Sequence, residues 1–231
     1  MTTPKFYGHT PLGLGEIHMP GRLIVIEGTD GVGRSTHIAL LKEWLENEGC
    51  AVLDTGFRRS DLTGDGIDRA MRGHILDHVT LNLFYATDFC DRMEKGIIPA
   101  LQAGMIVLAD RYIYSIIARA RVRGVPARWL DDVLEFAIVP HQVFYLDIDV
   151  EQLLPRMLAN RELDHWESGE DFLRRPDRHS SFVVYQSALL REFRNLAKQY
   201  RFVTIDARPS VREVFENLQK GVRVEVANML G

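Results

Sequence analysis

Five short runs of continuous apolar residues, Leu23–Ile26, Ala51–Leu53, Met105–Leu108, Val143–Leu146 and Phe202–Ile205, are separated by stretches of helical periodicity. A strand with one wet face alternates apolar and polar residues, whereas a strand covered on both faces does not. These runs therefore read as buried strands of a parallel sheet. Between the first two, Ile38, Leu41 and Leu45 recur at helical spacing and Gly49 stands where a helix would stop, which makes a βαβ unit. Further helical stretches are predicted near 64–72, 78–102, 112–122, 127–137, 150–160, 181–199 and 210–219. The pattern predicts a doubly wound α/β fold, in which ligands sit beyond the carboxyl ends of the strands. Chemistry is then expected just after residues 27, 54, 109 and 147.

Composition narrows the function classes. With 231 residues, 46% hydrophobic and 26% charged, the chain reads as a folded globular protein rather than a disordered or coiled-coil one. A net charge of -4 supplies no bulk field for nucleic acid or anionic lipid, so any phosphate site must be local and neither is an expected partner. Of the 28 basic residues 23 are Arg, the side chain that forks onto phosphate and carboxylate. Cys50 and Cys90 form neither a disulfide framework nor a zinc set, and a reducing, cytoplasmic setting is expected. Residues 1–21 hold Pro4, Pro11, Pro20 and four glycines without an apolar h-region. They read as an extended N-terminal arm rather than a signal peptide, ahead of one domain over 22–226. His78, His141 and His179 have no partners at metal-ligand spacing and read as ordinary surface or core residues.

The first expected site carries Gly28-Thr29-Asp30-Gly31-Val32-Gly33-Arg34-Ser35-Thr36, directly after a strand and directly before a helix. Glycines let the backbone turn its N–H groups onto a polyphosphate, and the helix start adds the positive end of its dipole. This is a P-loop for ATP, with Ser35 the expected magnesium ligand. A bare glycine turn is the alternative, but strand, loop, hydroxyl pair and helix all fall in register. Arg34 stands where the pattern has Lys, keeping the charge and changing its shape. At the end of the third run, Asp110 is placed to organise a hydrated magnesium ion beside Ser35, with cationic Arg111 adjacent.

On these residues the chain resembles the thymidylate kinase family. Ile26 to Gly33, Phe84 to Leu101 ending in Ile-Pro-Ala-Leu, Asp110-Arg-Tyr-Ile-Tyr-Ser115, Val143 to Asp147 and Thr204 to Ala207 carry the resemblance over about residues 21–220. It implies a P-loop NTPase fold of three α/β/α layers, with a five-stranded parallel sheet and a helical lid segment at about 158–181. It also implies a homodimer and ATP- and magnesium-dependent phosphorylation of dTMP to dTDP by direct in-line transfer. In that scheme Arg34, Asp110, Arg111 and Asp30 are catalytic, and Asp30 hydrogen-bonds the acceptor 3′-hydroxyl. Arg59 holds its phosphate, although the sequence leaves open which of Arg58 and Arg59 turns inward. Arg111 lies between the two phosphates, and Tyr85 stacks on the base.

Four departures fall on the working parts. Besides Arg34, Phe89 replaces the base-reading Arg four positions after the aromatic, with Arg92 one turn on as a possible substitute. Arg119, in the series Arg119, Arg121 and Arg123, stands where an aromatic is usual. At spacing of two those three cannot share one helix face, so at least one is expected in the site. In Asp164-His-Trp-Glu-Ser-Gly169, His165 replaces a common lid Arg, Trp166 takes an aromatic position facing the acceptor, and Arg161, Arg174, Arg175 and Arg178 flank it. Leu173 to Ser181 reads as an elaboration of the lid or the acceptor site. These departures leave two alternatives: a kinase for another pyrimidine or modified nucleotide, or a nucleotide-binding regulatory protein with a degenerate site.

Overall fold

A computed structural model describes residues 4–9, 18–73, 76–160 and 162–230. Strand β1 (Arg22–Glu27) runs through the glycine-rich loop into α1 (Arg34–Asn47), followed by β2 (Val52–Gly56) and α2 (Gly64–Gly73). Next come α3 (His78–Arg92), a π-helical turn over Met93–Ile97, and α4 (Ile98–Gln102). Then β3 (Ile106–Asp110), α5 (Ile113–Val122), α6 (Ala127–Leu134) and β4 (Gln142–Asp147) follow. The chain ends with α7 (Val150–Asn160), α8 (Arg178–Gln199), β5 (Val203–Asp206) and α9 (Val211–Val226).

All five strands pair in parallel in the order β2-β3-β1-β4-β5. Central β1 is flanked by β3 and β4, so the chain order reverses beside it and a crevice opens at its carboxyl end. The continuous apolar runs follow from coverage of both faces. Leu23 and Val25 join Val107 and Ala109 in one core, whereas Ile24 and Ile26 join Leu108, Phe144 and Leu146 in the other. Buried Leu41, Leu153 and Leu218 bring α1, α7 and α9 onto the second face. Among the described residues no helix is long and apolar enough to cross a membrane.

Helix α6 stops at Leu134 and α8 starts at Arg178, each three residues from the expected position, and two larger differences concern α9 and the 78–102 helix. Helix α9 continues seven residues beyond 219 because Val214, Leu218, Val222 and Val226 extend one buried stripe. Gly221 permits this packing, since a Cβ there would lie 2.4 Å from the Phe144 ring. The expected 78–102 helix forms, but the π-helical turn interrupts it ahead of Pro99, which lacks the N–H that a regular ladder requires.

The described part of the N-terminal arm lies against the body. The backbone N–H groups of Tyr7 and Gly8 donate to Ala137 (3.0 Å) and Glu135 (2.8 Å), and that of Val139 donates to Lys5 (2.7 Å). The Tyr7 ring meets Tyr114 and Tyr200 edge-on, and its hydroxyl bonds that of Tyr114. Tyr7→Ala is expected to lower unfolding free energy by about 2 kcal/mol, read as a fall in the urea midpoint at constant m-value.

Candidate active site

Beyond β1 the loop turns sharply at Gly31, where φ is +76° and a Cβ would lie 2.2 Å from the Met157 sulfur. Any other residue would be strained at that φ and would force the Met157 side chain to move. Thr29 and Val32 face inward and are fully buried, whereas Ser35 and Thr36 stand exposed at the head of α1. Gly28, Gly31 and Gly33 all adopt positive φ, so the 28–36 segment has the backbone of an anion-binding loop.

Arg34 turns back beneath this loop. Its Nε donates to Asp110 Oδ1 at 2.7 Å, and its Nη1 donates to the carbonyls of Gly28 (2.7 Å) and Thr29. Ser35 Oγ donates to the other Asp110 oxygen at 2.7 Å. Register explains the meeting, because Asp110 ends β3 opposite Ile26 of β1. Burial acts to raise the Asp110 pKa, but Arg34, Arg111 and Ser35 outweigh it and hold the carboxyl below its usual range. Ser35 and Asp110 together present one hydroxyl and one carboxylate. That oxygen donor set suits magnesium, which takes few protein ligands and shares the rest with phosphate and water.

Asp30 lies between three cations. Arg111 and Arg119 each place an Nη2 on one of its oxygens, and Arg34 Nη2 approaches to 3.8 Å. Burial alone would raise the Asp30 pKa, yet Arg111, Arg119 and Arg34 hold it well below the ordinary carboxylate range. Burial together with the neighbouring Arg34 pushes Arg111 down to about 10, so it stays cationic at neutral pH. Because the folded-state pKa of Asp30 is depressed, its ionised form stabilises the protein fully above the unfolded value near 3.9, an advantage lost as pH falls through the folded value. Asp30→Asn is expected to cost about 3 kcal/mol at pH 7 by leaving buried guanidiniums unmatched. Urea unfolding should show the gap between variant and wild type persisting at pH 5 and narrowing only below about pH 4.

Two carboxylates that sequence reasoning missed hold the arginine-bearing turns. Arg111 (φ 75°) and Arg58 (φ 59°) both adopt left-handed backbone, which is strained for a side chain of this size. After Arg111, fully buried Glu27 accepts the N–H of Tyr112 (2.8 Å), the N–H of Ser115 (3.1 Å) and the Ser115 hydroxyl (2.6 Å). Burial raises the Glu27 pKa despite these donors. Around Arg58, fully buried Asp88 accepts the N–H groups of Arg58 (3.2 Å) and Ser60 (3.1 Å) and Arg92 Nε (2.9 Å). A lone carboxylate closing an apolar strand, and an Asp four residues before an Arg on one helix, were the available signals.

From Asp30 a cleft runs away from the loop in two connected chambers. Asp30, Arg58, Arg111, Asp164 and Glu167 line the mouth, whereas His78, Leu81, Asn82, Ile116 and Arg123 line the inner end. Phe57, Met71, Tyr85, Arg119 and Trp166 line both. Tyr85 packs on Phe57 at 5.5 Å, and the Trp166 indole donates to the Met71 carbonyl at 2.9 Å. Arg123 ties the 164–172 segment down, reaching both Asp171 oxygens, the Tyr185 hydroxyl and the Trp166 carbonyl.

The expected residues Asp30, Tyr85, Arg111, Arg119 and Trp166 thus meet in one cleft, next to Arg34, Ser35 and Asp110. Arg59 pairs with Asp54 (3.4 Å) and places its Nε near Gly56, beside Asp110 at the carboxyl ends of β2 and β3, while Arg58 lines the cleft itself. Phe89 is fully buried between Tyr112 (4.8 Å) and Phe136 (5.5 Å) and lines neither chamber. Arg92 turns toward Asp88 and Thr55 rather than into the cleft. Of the basic series, Arg119 enters the site, Arg121 pairs with Glu192, and Arg123 is the fastening described above. Arg174 and Arg175 are exposed, Arg178 binds Glu170 (2.9 Å), and His165 lies 3.5 Å from the same carboxylate. Arg161 lies outside the described residues.

The family model described as thymidylate kinase matches residues 26–218. A protein named probable thymidylate kinase 2 from Saccharolobus solfataricus is 35% identical over 214 residues, covering 92% of this chain and 100% of its own length. A probable thymidylate kinase from Thermococcus kodakarensis is 39% identical over 148 residues, 60% of this chain and 72% of the relative. A thymidylate kinase from Pelotomaculum thermopropionicum is 31% identical over 215 residues, 88% of this chain and 98% of the relative.

Proposed function

The chain belongs to the thymidylate kinase family, and on that premise we propose that it transfers the γ-phosphoryl group of ATP to dTMP, giving dTDP and ADP. The observation that carries this reading is the placement of Asp30, Arg111 and Arg119 at the mouth of an apolar cleft, directly beside the phosphate loop. A nucleoside monophosphate fits that polarity: base in the inner chamber, sugar at Asp30, phosphate toward Arg58 and Arg111.

An oxygen of the dTMP phosphate attacks the γ-phosphorus in line, forming one P–O bond as the bond to the β–γ bridging oxygen breaks. The acceptor oxygen is already ionised, so no side chain needs to remove a proton. The chain's work is positioning and charge neutralisation. The 28–36 backbone binds the donor's phosphates, Arg111 lies between donor and acceptor, and Arg34 supplies positive charge under the loop. Ser35 and Asp110 would hold a magnesium ion, which when bound neutralises phosphate oxygens of the donor.

Phosphorus NMR of the enzyme with ATP, magnesium and dTMP tests the reading. The expected result is growth of dTDP and ADP signals in equal amounts, with no phosphoenzyme. Release of inorganic phosphate without dTDP would contradict it, and bound but unreacted ATP would favour the nucleotide-binding alternative.

A further inference from the structure

Helix α3 buries a guanidinium that lines neither chamber of the cleft. Arg92 donates through Nε to Asp88 at 2.9 Å and through Nη1 to the Thr55 hydroxyl at 3.3 Å. Its guanidinium carbon lies 5.9 Å from the centre of the Phe57 ring and 5.5 Å from that of Phe89. Its Nη2 is buried with no partner among the described residues. For filling the space between two aromatic rings, an apolar side chain would avoid that desolvation. The charge therefore answers to Asp88, its one ion-pair partner among the described residues.

Asp88 has a task of its own. Fully buried, it accepts the N–H of Arg58 on one oxygen (3.2 Å), and the N–H of Ser60 (3.1 Å) and the Thr63 hydroxyl (3.4 Å) on the other. Arg58 holds a left-handed backbone, which persists only where its surroundings over-determine it, and the two N–H bonds bracket that residue. Because those bonds fall on different oxygens, both need a carboxylate, and a carboxylate buried this deeply needs a cation. The turn so shaped carries Arg58 to the mouth of the cleft and Arg59 to the carboxyl ends of β2 and β3. We infer that Arg92 is a positioning residue for the acceptor phosphate: paired with Asp88, it fixes the 57–60 backbone from which these two arginines meet a phosphomonoester. This rests on the reading of the cleft as a dTMP site. It gives Arg92 no contact with the substrate and no part in the transfer itself.

The test is calorimetric binding of dTMP and of thymidine, the same ligand without its phosphate, to wild type, Arg92→Lys, Arg92→Met and the double variant Asp88→Asn/Arg92→Met, each with its melting curve. Met fills the slot between Phe57 and Phe89 but removes the charge. In Arg92→Met, dTMP affinity should therefore fall about tenfold or more, while thymidine affinity stays within about threefold. Steady-state kinetics should show the same loss as a raised KM for dTMP, with kcat and the KM for ATP within about threefold. Arg92→Lys restores the charge and should recover most of the affinity. The double variant removes the stranded carboxylate, so its melting temperature should return toward that of wild type. One carboxamide oxygen does not replace two, however, so its dTMP affinity should stay low. Where Arg92→Met does not fold, the double variant carries the same comparison. Equal losses for dTMP and thymidine, dTMP affinity unchanged in Arg92→Met, or dTMP affinity regained together with stability in the double variant would overturn the inference and leave Arg92 a structural ion pair. A wild type that binds no dTMP would overturn the proposed function, and the inference with it.

Discussion

Asp110→Ala is expected to lower kcat for dTMP phosphorylation about 10³-fold, because two functions converge on one carboxylate. Its Oδ2 accepts from Ser35 and its Oδ1 from Arg34, so its loss removes half of the oxygen set suited to magnesium and frees the Arg34 guanidinium. Single preorganised groups at phosphoryl and acyl transfer sites are typically worth about 10²–10³ in rate, and here one substitution disturbs both an ion ligand and a cation. Asp110→Asn preserves shape but not charge, and its activity should fall between wild type and Asp110→Ala. Steady-state kinetics at saturating ATP and magnesium give the comparison, with melting curves establishing that each variant is folded. Activity within a few-fold of wild type in Asp110→Ala would mean that the reaction occurs elsewhere.

Arg34→Ala should cost about 10²–10³ in kcat by removing a preorganised cation from beneath the phosphate loop. Arg34→Lys is the more informative substitution. The guanidinium spans Asp110 and the carbonyls of Gly28 and Thr29 at once, a fork that one compact ammonium cannot reproduce. The loop is therefore fitted to Arg, and Arg34→Lys is expected to lower kcat about tenfold. A large gain in turnover would reverse the interpretation and mark the native site as a weakened version of a lysine-bearing one.

The five strands and the phosphate loop were legible because their causes are local. A strand buried on both faces must be apolar throughout, and the glycines whose positive φ shapes the loop fall in one short run between strand and helix. The cleft was harder to read because its arginines are sorted by partners far away in sequence. Arg119, Arg121 and Arg123 look alike along the chain, yet Asp30, Glu192 and Asp171 draw them to three separate tasks. Asp88, 30 residues on, accepts the N–H of Arg58 at its left-handed turn and so fixes the backbone from which Arg58 reaches the cleft wall. Phe89 shares a helix face with Tyr85 by simple periodicity, but Tyr112 and Phe136 enclose its ring and draw it into the core.

The most direct test of the account is a coupled ATP-consumption assay with magnesium across dTMP, dUMP, dCMP, UMP and CMP, with each product identified by mass. The account predicts transfer to dTMP with the highest kcat/KM of the five acceptors. Preference for a cytosine nucleotide, or ATP binding with no phosphorylated acceptor, would contradict it.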